Sequence, residues 1–189
     1  MNVKKLLYLA SVLVMAMSIS CLFTACSDDD EPDQPKEEDR IPTSAMCSYR
    51  FECSQDMLDV LDITIQYVEK GNIVSAPITQ LETKIQVANL TLPATFGYRV
   101  SAKVKAGVSL TKASYNFNFK HFDPFVSVYD QNGKKIDGLD STFSSMSGGT
   151  DAATPDYITG KYGEGRVLTT NGITVDKQGN YSSATINWD

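Results

Sequence analysis

The sequence predicts an all-β fold: an antiparallel β-sandwich of immunoglobulin-like architecture with one short helix. A β-barrel is the alternative that the pattern leaves open. Three observations support the prediction. Apolar and polar residues alternate with a period of two over several segments, as they do in half-buried strands. Turn-forming residues recur about every ten residues, which allows roughly seven to nine short strands. A complete helix start signal is found near residue 155.

The first half of the body contains the clearest alternation. In Met46–Glu52, three apolar side chains share one face: Cys47, Tyr49 and Phe51. Phe96–Ala106 alternates over its whole length and gives the strongest strand prediction. The same pattern predicts further strands at Asp62–Glu69, Ile73–Ala76 and Leu81–Val87. Ser54–Asp59 is compatible with a single helical turn capped by Ser54.

The second half predicts shorter strands, a loop and the helix. Strands are predicted at Tyr115–Lys120 and Phe125–Tyr129. The stretch Gly138–Ala153 is rich in Ser, Thr and Gly and is interpreted as a long loop. Thr154-Pro155-Asp156 combines a capping residue, a proline at the first helical position and an acidic residue in the first turn, which predicts a short helix. A closing hairpin is predicted from Arg166–Val175 and Asn180–Trp188.

Residues 1–25 have the features of a secretion signal. Lys4 and Lys5 give a positive start, and an uncharged apolar stretch follows. The end of that stretch, Leu22–Cys26, resembles a bacterial lipoprotein signal, in which the cysteine is lipidated and becomes the first residue of the mature protein. The resemblance implies lipidation of Cys26, and it departs from the family at Phe23, where an aliphatic residue is usual. The alternatives are an uncleaved anchor, a plainly cleaved signal, and lipidation at Cys21.

An acidic segment follows Cys26. Its first five residues resemble the export tag of surface lipoproteins of Bacteroidetes: Ser27, Asp28, Asp29, Asp30 and Glu31. This resemblance implies an outer-membrane location facing the cell exterior, whereas the alternative is that the charges only keep the segment solvated. Residues 26–40 are predicted to be a disordered tether, because a highly charged segment with two prolines cannot bury an apolar core. Residues 41–189 have a length that suits one domain.

Two segments of the body carry a looser resemblance. Leu92–Tyr98 and Leu110–Tyr115 resemble small uncharacterised surface lipoproteins of gut Bacteroidetes. The resemblance covers most of the body and implies a β-sandwich at the cell surface. It carries over no functional residues.

The charge balance narrows the classes of partner. The full chain has a formal net charge of −6, but residues 41–189 contain 13 basic and 15 acidic residues. This nearly neutral body lacks the basic surface that nucleic-acid binding requires. It also gives little electrostatic attraction to anionic lipid. We therefore expect no nucleic-acid partner, and membrane attachment through the N-terminal lipid.

The residue patterns predict no metal, no cofactor and no active site. Cys47 and Cys53 lie about 20 Å apart along one predicted strand, too far for a disulfide there, and are interpreted as small buried residues. Three aspartates lack the glycine-turned loop of a calcium site: Asp56, Asp59 and Asp62. His121 is the single histidine, no GxSxG motif occurs, and His121 is interpreted as a hydrogen-bonded strand residue. Hydrolysis by two paired carboxylates is the less favoured alternative.

Three aromatic residues and one serine are the candidate contact and modification sites. Tyr157, Tyr162 and Trp188 are candidates for stacking on a sugar or contacting a protein, with burial in the core as the alternative. Asp140-Ser141-Thr142 matches a short O-glycosylation signal of secreted Bacteroidetes proteins, which makes Ser141 a candidate acceptor.

These observations predict a lipid-anchored, non-catalytic module at the cell surface. We expect it to bind a partner protein or a glycan, or to support a larger surface complex. The main alternative is a lipoprotein that faces the periplasm and has a role in the cell envelope.

Overall fold

Two antiparallel sheets pack face to face in the computed structural model, which describes residues 40–142 and 144–189. All of the described residues belong to one compact unit. The predicted signal peptide, the lipidation site Cys26 and the export tag Ser27–Glu31 lie outside them.

The first sheet has the order β4-β1-β6-β8, with β7 beside the first half of β1. Its strands are β1 (Pro42–Cys53), β4 (Glu82–Thr91), β6 (Tyr115–Phe122), β7 (Phe125–Asp130) and β8 (Ser145–Ala153). The second sheet has the order β10-β9-β5-β2-β3. Its strands are β2 (Leu61–Glu69), β3 (Asn72–Ile78), β5 (Ala94–Val104), β9 (Arg166–Val175) and β10 (Tyr181–Ser183). The two sheets remain separate in the described residues, which confirms the sandwich over a single closed sheet.

The long strand β1 organises the first sheet. One edge pairs with β4, with Tyr49 opposite Ile85. The other edge pairs first with β7 and then with β6, as Cys47 lies opposite Val126 and Cys53 opposite Phe119. The alternation predicted for this segment is confirmed, because its apolar residues are buried against the second sheet.

Two helices are found, one at each of the two places where the sequence predicted a short helix or a helical turn. The helix α1 (Gln55–Val60) joins β1 to β2, and Ser54 does not cap it, because its hydroxyl donates to the carbonyl of Asn116 at 2.5 Å. The predicted helix α2 (Pro155–Tyr162) is confirmed, with the Thr154 hydroxyl accepting from the Tyr157 amide at 3.3 Å. No helix in the described residues is long and apolar enough to cross a membrane.

The loop predicted at Gly138–Ala153 is wrong in its second half, which is strand β8. Its glycines fit close to the aromatic residues of β6. A Cβ atom on Gly148 would lie 2.5 Å from Phe119 Cζ, and one on Gly149 would lie 1.8 Å from the Phe117 carbonyl oxygen. Glycine is therefore needed here for close approach between strands, as well as for the φ of +108° at Gly149.

The strand predicted at Asn180–Trp188 is also shorter in the structure. β10 ends at Ser183, and the chain then crosses the outer face of the second sheet. Ile186 lies over Gly97 and Gly172, which are paired across β5 and β9. A Cβ atom added to either glycine would come within 3.0 Å of the Ile186 side chain. We call residues 184–189 the strap.

The two described cysteines are buried and free. Burial raises the pKa of the Cys47 thiol to about 12 and that of Cys53 to about 11. Their interpretation as small buried residues is confirmed.

Candidate functional site

A cavity of about 350 Å³ opens where the β6–β7 connection of the first sheet faces β9 and β10 of the second. We call it the edge cleft. Its wall carries the polar residues Asp123, Ser141, Thr142, Asn171, Ser182 and Ser183, and the less polar residues Pro124, Gly172, Ile173 and Tyr181. Concave sites that combine apolar surface with a few convergent polar groups are the usual places for small ligands.

Asp123 is held in place by the chain that follows β7. Its backbone amide donates to the carbonyl of Ser144 at 3.0 Å, and the Ser144 hydroxyl donates to its carboxylate oxygen Oδ2. Pro124 comes next and restricts the backbone before β7 begins. The carboxylate is therefore fixed in the wall of the cleft.

Asn171 lies on β9 opposite Tyr98 of β5, on the side of the strand that faces the first sheet. Its amide nitrogen Nδ2 is buried and makes no well-formed hydrogen bond within the described residues, although the side chain lies beside the Tyr98 hydroxyl. A buried donor without a good acceptor costs about 1–3 kcal/mol. A ligand oxygen in the cleft would supply that acceptor.

Tyr98 connects the cleft to the core. Its hydroxyl donates to the Phe122 carbonyl at 2.6 Å, directly before Asp123. Burial raises the pKa of Tyr98 to about 12, and the charge of Asp123 adds to the increase. Hydrogen bonds with the neighbouring Asn171 and Thr169 side chains lower the pKa and so oppose part of this increase. Tyr98 is therefore neutral at physiological pH and acts as a hydrogen-bond donor.

His121 lies behind the cleft on β6. Its Nδ1 is 3.2 Å from the Thr169 hydroxyl on β9, which links the two sheets. Partial burial lowers the pKa of His121, and the charge of Asp123 opposes the decrease. The prediction of a hydrogen-bonded strand histidine is confirmed, and its imidazole is mainly neutral at pH 7.

Ser141 is a structural residue of the cleft wall. Its hydroxyl accepts from the Val126 amide at 2.8 Å and donates to the Pro124 carbonyl at 3.0 Å. The residue is 9% exposed. In the folded domain the Ser141 hydroxyl is buried and already bonded on both sides, which argues against the predicted O-glycosylation of this residue.

Tyr181 forms the less polar side of the cleft. Its hydroxyl donates to the Leu139 carbonyl, and burial raises the pKa of Tyr181 to about 12. The phenol is thus neutral, and the half-buried ring offers a flat surface next to Ile173.

The three predicted contact aromatics lie elsewhere. Tyr162 is 1% exposed and packs in the core, so its prediction as a ligand contact is wrong. Tyr157 is half-buried and its hydroxyl is 2.6 Å from Lys161 Nζ. Trp188, in the strap, is half-buried on the outer face of the second sheet, with its indole nitrogen donating to Thr170 at 3.1 Å and its ring beside Arg99. None of the three lines the edge cleft.

The comparisons with known proteins identify no relative. No protein-family model, no curated protein and no solved structure matches this chain.

The described residues also contain no group of three or more histidine, cysteine, aspartate or glutamate side chains that could hold a metal ion. The groups that the edge cleft offers to a ligand are one fixed carboxylate, one buried amide donor, several hydroxyls and a tyrosine ring.

Proposed function

We propose that this protein is a lipid-anchored module that binds a glycan in the edge cleft without catalysis. The observation that carries the proposal is the buried Asn171 amide, which lacks a well-formed hydrogen bond at the wall of a polar cleft. Sugars present hydroxyl groups that both donate and accept, and such a group can meet Asn171 and Asp123 together.

The composition of the wall also favours a sugar over an apolar ligand. Carboxylate, amide and hydroxyl groups supply the directional hydrogen bonds, and the half-buried Tyr181 ring with Ile173 supplies apolar surface for the C–H face of a pyranose. The cleft volume of about 350 Å³ is near the lower end of the usual range for ligand sites, and it suits one or two sugar rings better than a long oligosaccharide.

The proposal of binding without catalysis rests on the same wall. Glycoside hydrolysis ordinarily uses two carboxylates across the scissile bond. Asp123 is the one carboxylate among the residues that line the edge cleft. His121, the neighbouring candidate base, is bonded to Thr169 behind the cleft.

The proposed location rests on the sequence before the sandwich. Lipidation of Cys26 would anchor the chain, and the acidic segment would hold the domain away from the outer leaflet of the outer membrane. We expect Cys26→Ser to remove incorporation of labelled palmitate. Protease added to intact cells should degrade the domain if it is outside, whereas protection until the cells are opened would support the periplasm-facing alternative.

The binding proposal is tested with a glycan array and the lipid-free mature chain, residues 27–189. We expect a restricted set of glycans to be retained by the wild type and lost with Asn171→Leu. Thr170→Ser is the control, because Thr170 is exposed on the outer face of the same strand and serine keeps the hydroxyl that accepts from Trp188. Equal retention by all three proteins would place binding outside the cleft, and no retention would reject glycan binding.

A second candidate function is assembly through β8. This strand is bonded to β6 alone among the described strands, and Met146 on it is 64% exposed. An open strand edge can accept an extended segment of a partner protein. In that case Met146→Lys would prevent recovery of a stoichiometric partner from solubilised envelopes, whereas Asn171→Leu would leave recovery unchanged.

A further inference from the structure

We infer that the edge cleft distinguishes sugars by charge, accepting neutral and amine-bearing rings and rejecting rings that carry a carboxylate. The inference rests on the proposed glycan-binding function and names the ligand class of the same site.

The charge of the cleft wall comes from Asp123. Among the residues that line the cleft, the other acidic group is the Tyr181 phenol, whose pKa of about 12 keeps it neutral. Asp140 lies close enough to act on Tyr181, but its carboxylate oxygen Oδ2 is bonded to Lys135 Nζ at 2.6 Å. Lys135 therefore offsets part of the Asp140 charge, and Asp123 supplies the carboxylate that lines the cleft itself.

The Asp123 carboxylate cannot turn away from an anionic ligand without losing contacts. Its Oδ2 accepts from the Ser144 hydroxyl, and its own backbone amide is bonded to the Ser144 carbonyl at 3.0 Å. Asp123 is also half-buried, so solvent screens its charge less than it would on an open surface. An ammonium group on the ligand would gain a charge-assisted hydrogen bond there, and a carboxylate would be repelled.

Asn171 provides the part of the binding that does not depend on ligand charge. Its buried amide nitrogen can donate to a hydroxyl or ring oxygen of any sugar. The two residues therefore have separable roles: Asn171 contributes to affinity for all sugars, and Asp123 sets the preference among sugars of different charge.

The test compares three sugars that share one ring: glucose, glucosamine and glucuronate, followed by the galacto and manno series. Binding is measured by NMR titration of the mature chain at about pH 6, where the amine is protonated. We expect the wild type to bind the amine roughly threefold to tenfold more tightly than the neutral sugar, and the uronate weaker than the neutral sugar by a similar factor.

Asp123→Asn should bring the three dissociation constants together. Asn171→Leu should weaken the neutral and amino sugars by similar factors and keep their order. Asp62→Asn removes one negative charge from an exposed residue of the second sheet and should leave the wild-type order unchanged. Thermal unfolding of each variant checks that the domain remains folded.

Two outcomes would contradict these expectations. Sugars that perturb cleft resonances in an order unaffected by Asp123→Asn would overturn the charge inference and leave glycan binding in place. Cleft resonances unmoved by all nine sugars would overturn the proposed function and the inference with it.

Discussion

Tyr49 and Tyr98 lie against each other in the core with ring centroids 5.3 Å apart, and each directs its hydroxyl to the opposite sheet. Tyr49 on β1 accepts from the Gly97 amide of β5 at 2.9 Å. Tyr98 on β5 donates to the Phe122 carbonyl at the end of β6 at 2.6 Å. These reciprocal bonds connect the two sheets through the core, and the second one ends next to Asp123 of the edge cleft.

Removing the Tyr98 hydroxyl should destabilise the domain. Tyr98→Phe removes the buried 2.6 Å hydrogen bond from the Tyr98 hydroxyl to the Phe122 carbonyl, and the loss of such a bond costs about 0.5–1.5 kcal/mol. The free energy of unfolding from urea titration measures the loss. The half-buried Tyr129→Phe serves as the control and should change stability by less than about 0.5 kcal/mol. Equal effects of the two variants would contradict the role assigned to Tyr98.

Stability should decrease in alkaline solution. Burial raises the pKa of Tyr98 from 10.0 and that of Cys47 from 9.0, both to about 12. Because each folded-state pKa lies above its unfolded value, the stabilising contribution is complete below about pH 9 and is lost as pH rises toward 12. Urea midpoints measured from pH 8 to 12 should fall, and Tyr98→Phe should reduce the slope. A slope identical in Tyr98→Phe and the wild type would refute the assignment to Tyr98.

The glycines of β8 should be intolerant of alanine. At Gly149, a Cβ atom would lie 1.8 Å from the Phe117 carbonyl oxygen, and the φ of +108° disfavours any side chain. We expect Gly149→Ala to cost more than about 2 kcal/mol. Gly160 lies inside α2, and a Cβ atom added there would have nothing within 4 Å, so Gly160→Ala should stabilise the domain by up to about 1 kcal/mol. Chemical denaturation should therefore show a lower free energy of unfolding for Gly149→Ala and a higher one for Gly160→Ala. Equal changes in the two variants would contradict this prediction.

Ser141 should prove structural rather than modified. Ser141→Ala removes the group that joins the Val126 amide to the Pro124 carbonyl and should cost about 1–3 kcal/mol. Mass spectrometry of the mature chain from its native envelope should show the unmodified mass for the peptide that contains Ser141. A glycan on that peptide would contradict the burial of this hydroxyl.

The sequence was most informative where one physical pattern dominated. In β5 and the middle of β1, buried residues recur at every second position, because one face of each strand lies against the opposite sheet. β8 has the opposite character. Its serines and glycines are normally read as loop residues. Only the contacts with β6, the Phe119 ring at Gly148 and the Phe117 carbonyl at Gly149, explain why glycine is required in that strand.

The edge cleft could not be predicted for a similar reason. Asp123 follows β6 in the first sheet, whereas Asn171 lies within β9 of the second. They come together because β9 pairs with β5, which places Asn171 beside the Tyr98 hydroxyl. That hydroxyl donates to the carbonyl of Phe122, the residue directly before Asp123. Neither residue belongs to a motif, whereas aromatic residues near predicted loops are a recognisable signal, and the sequence therefore favoured Tyr157, Tyr162 and Trp188. Convergence of this kind depends on strand order and register.

The most direct test of glycan binding in the edge cleft is a crystal structure of the mature chain with the glycan that the array ranks first. We expect a sugar ring beside Tyr181, with one oxygen about 3 Å from Asn171 Nδ2 and a hydroxyl within hydrogen-bonding distance of Asp123. A sugar bound on Trp188 at the outer face, or anywhere else away from Asn171, would contradict the account.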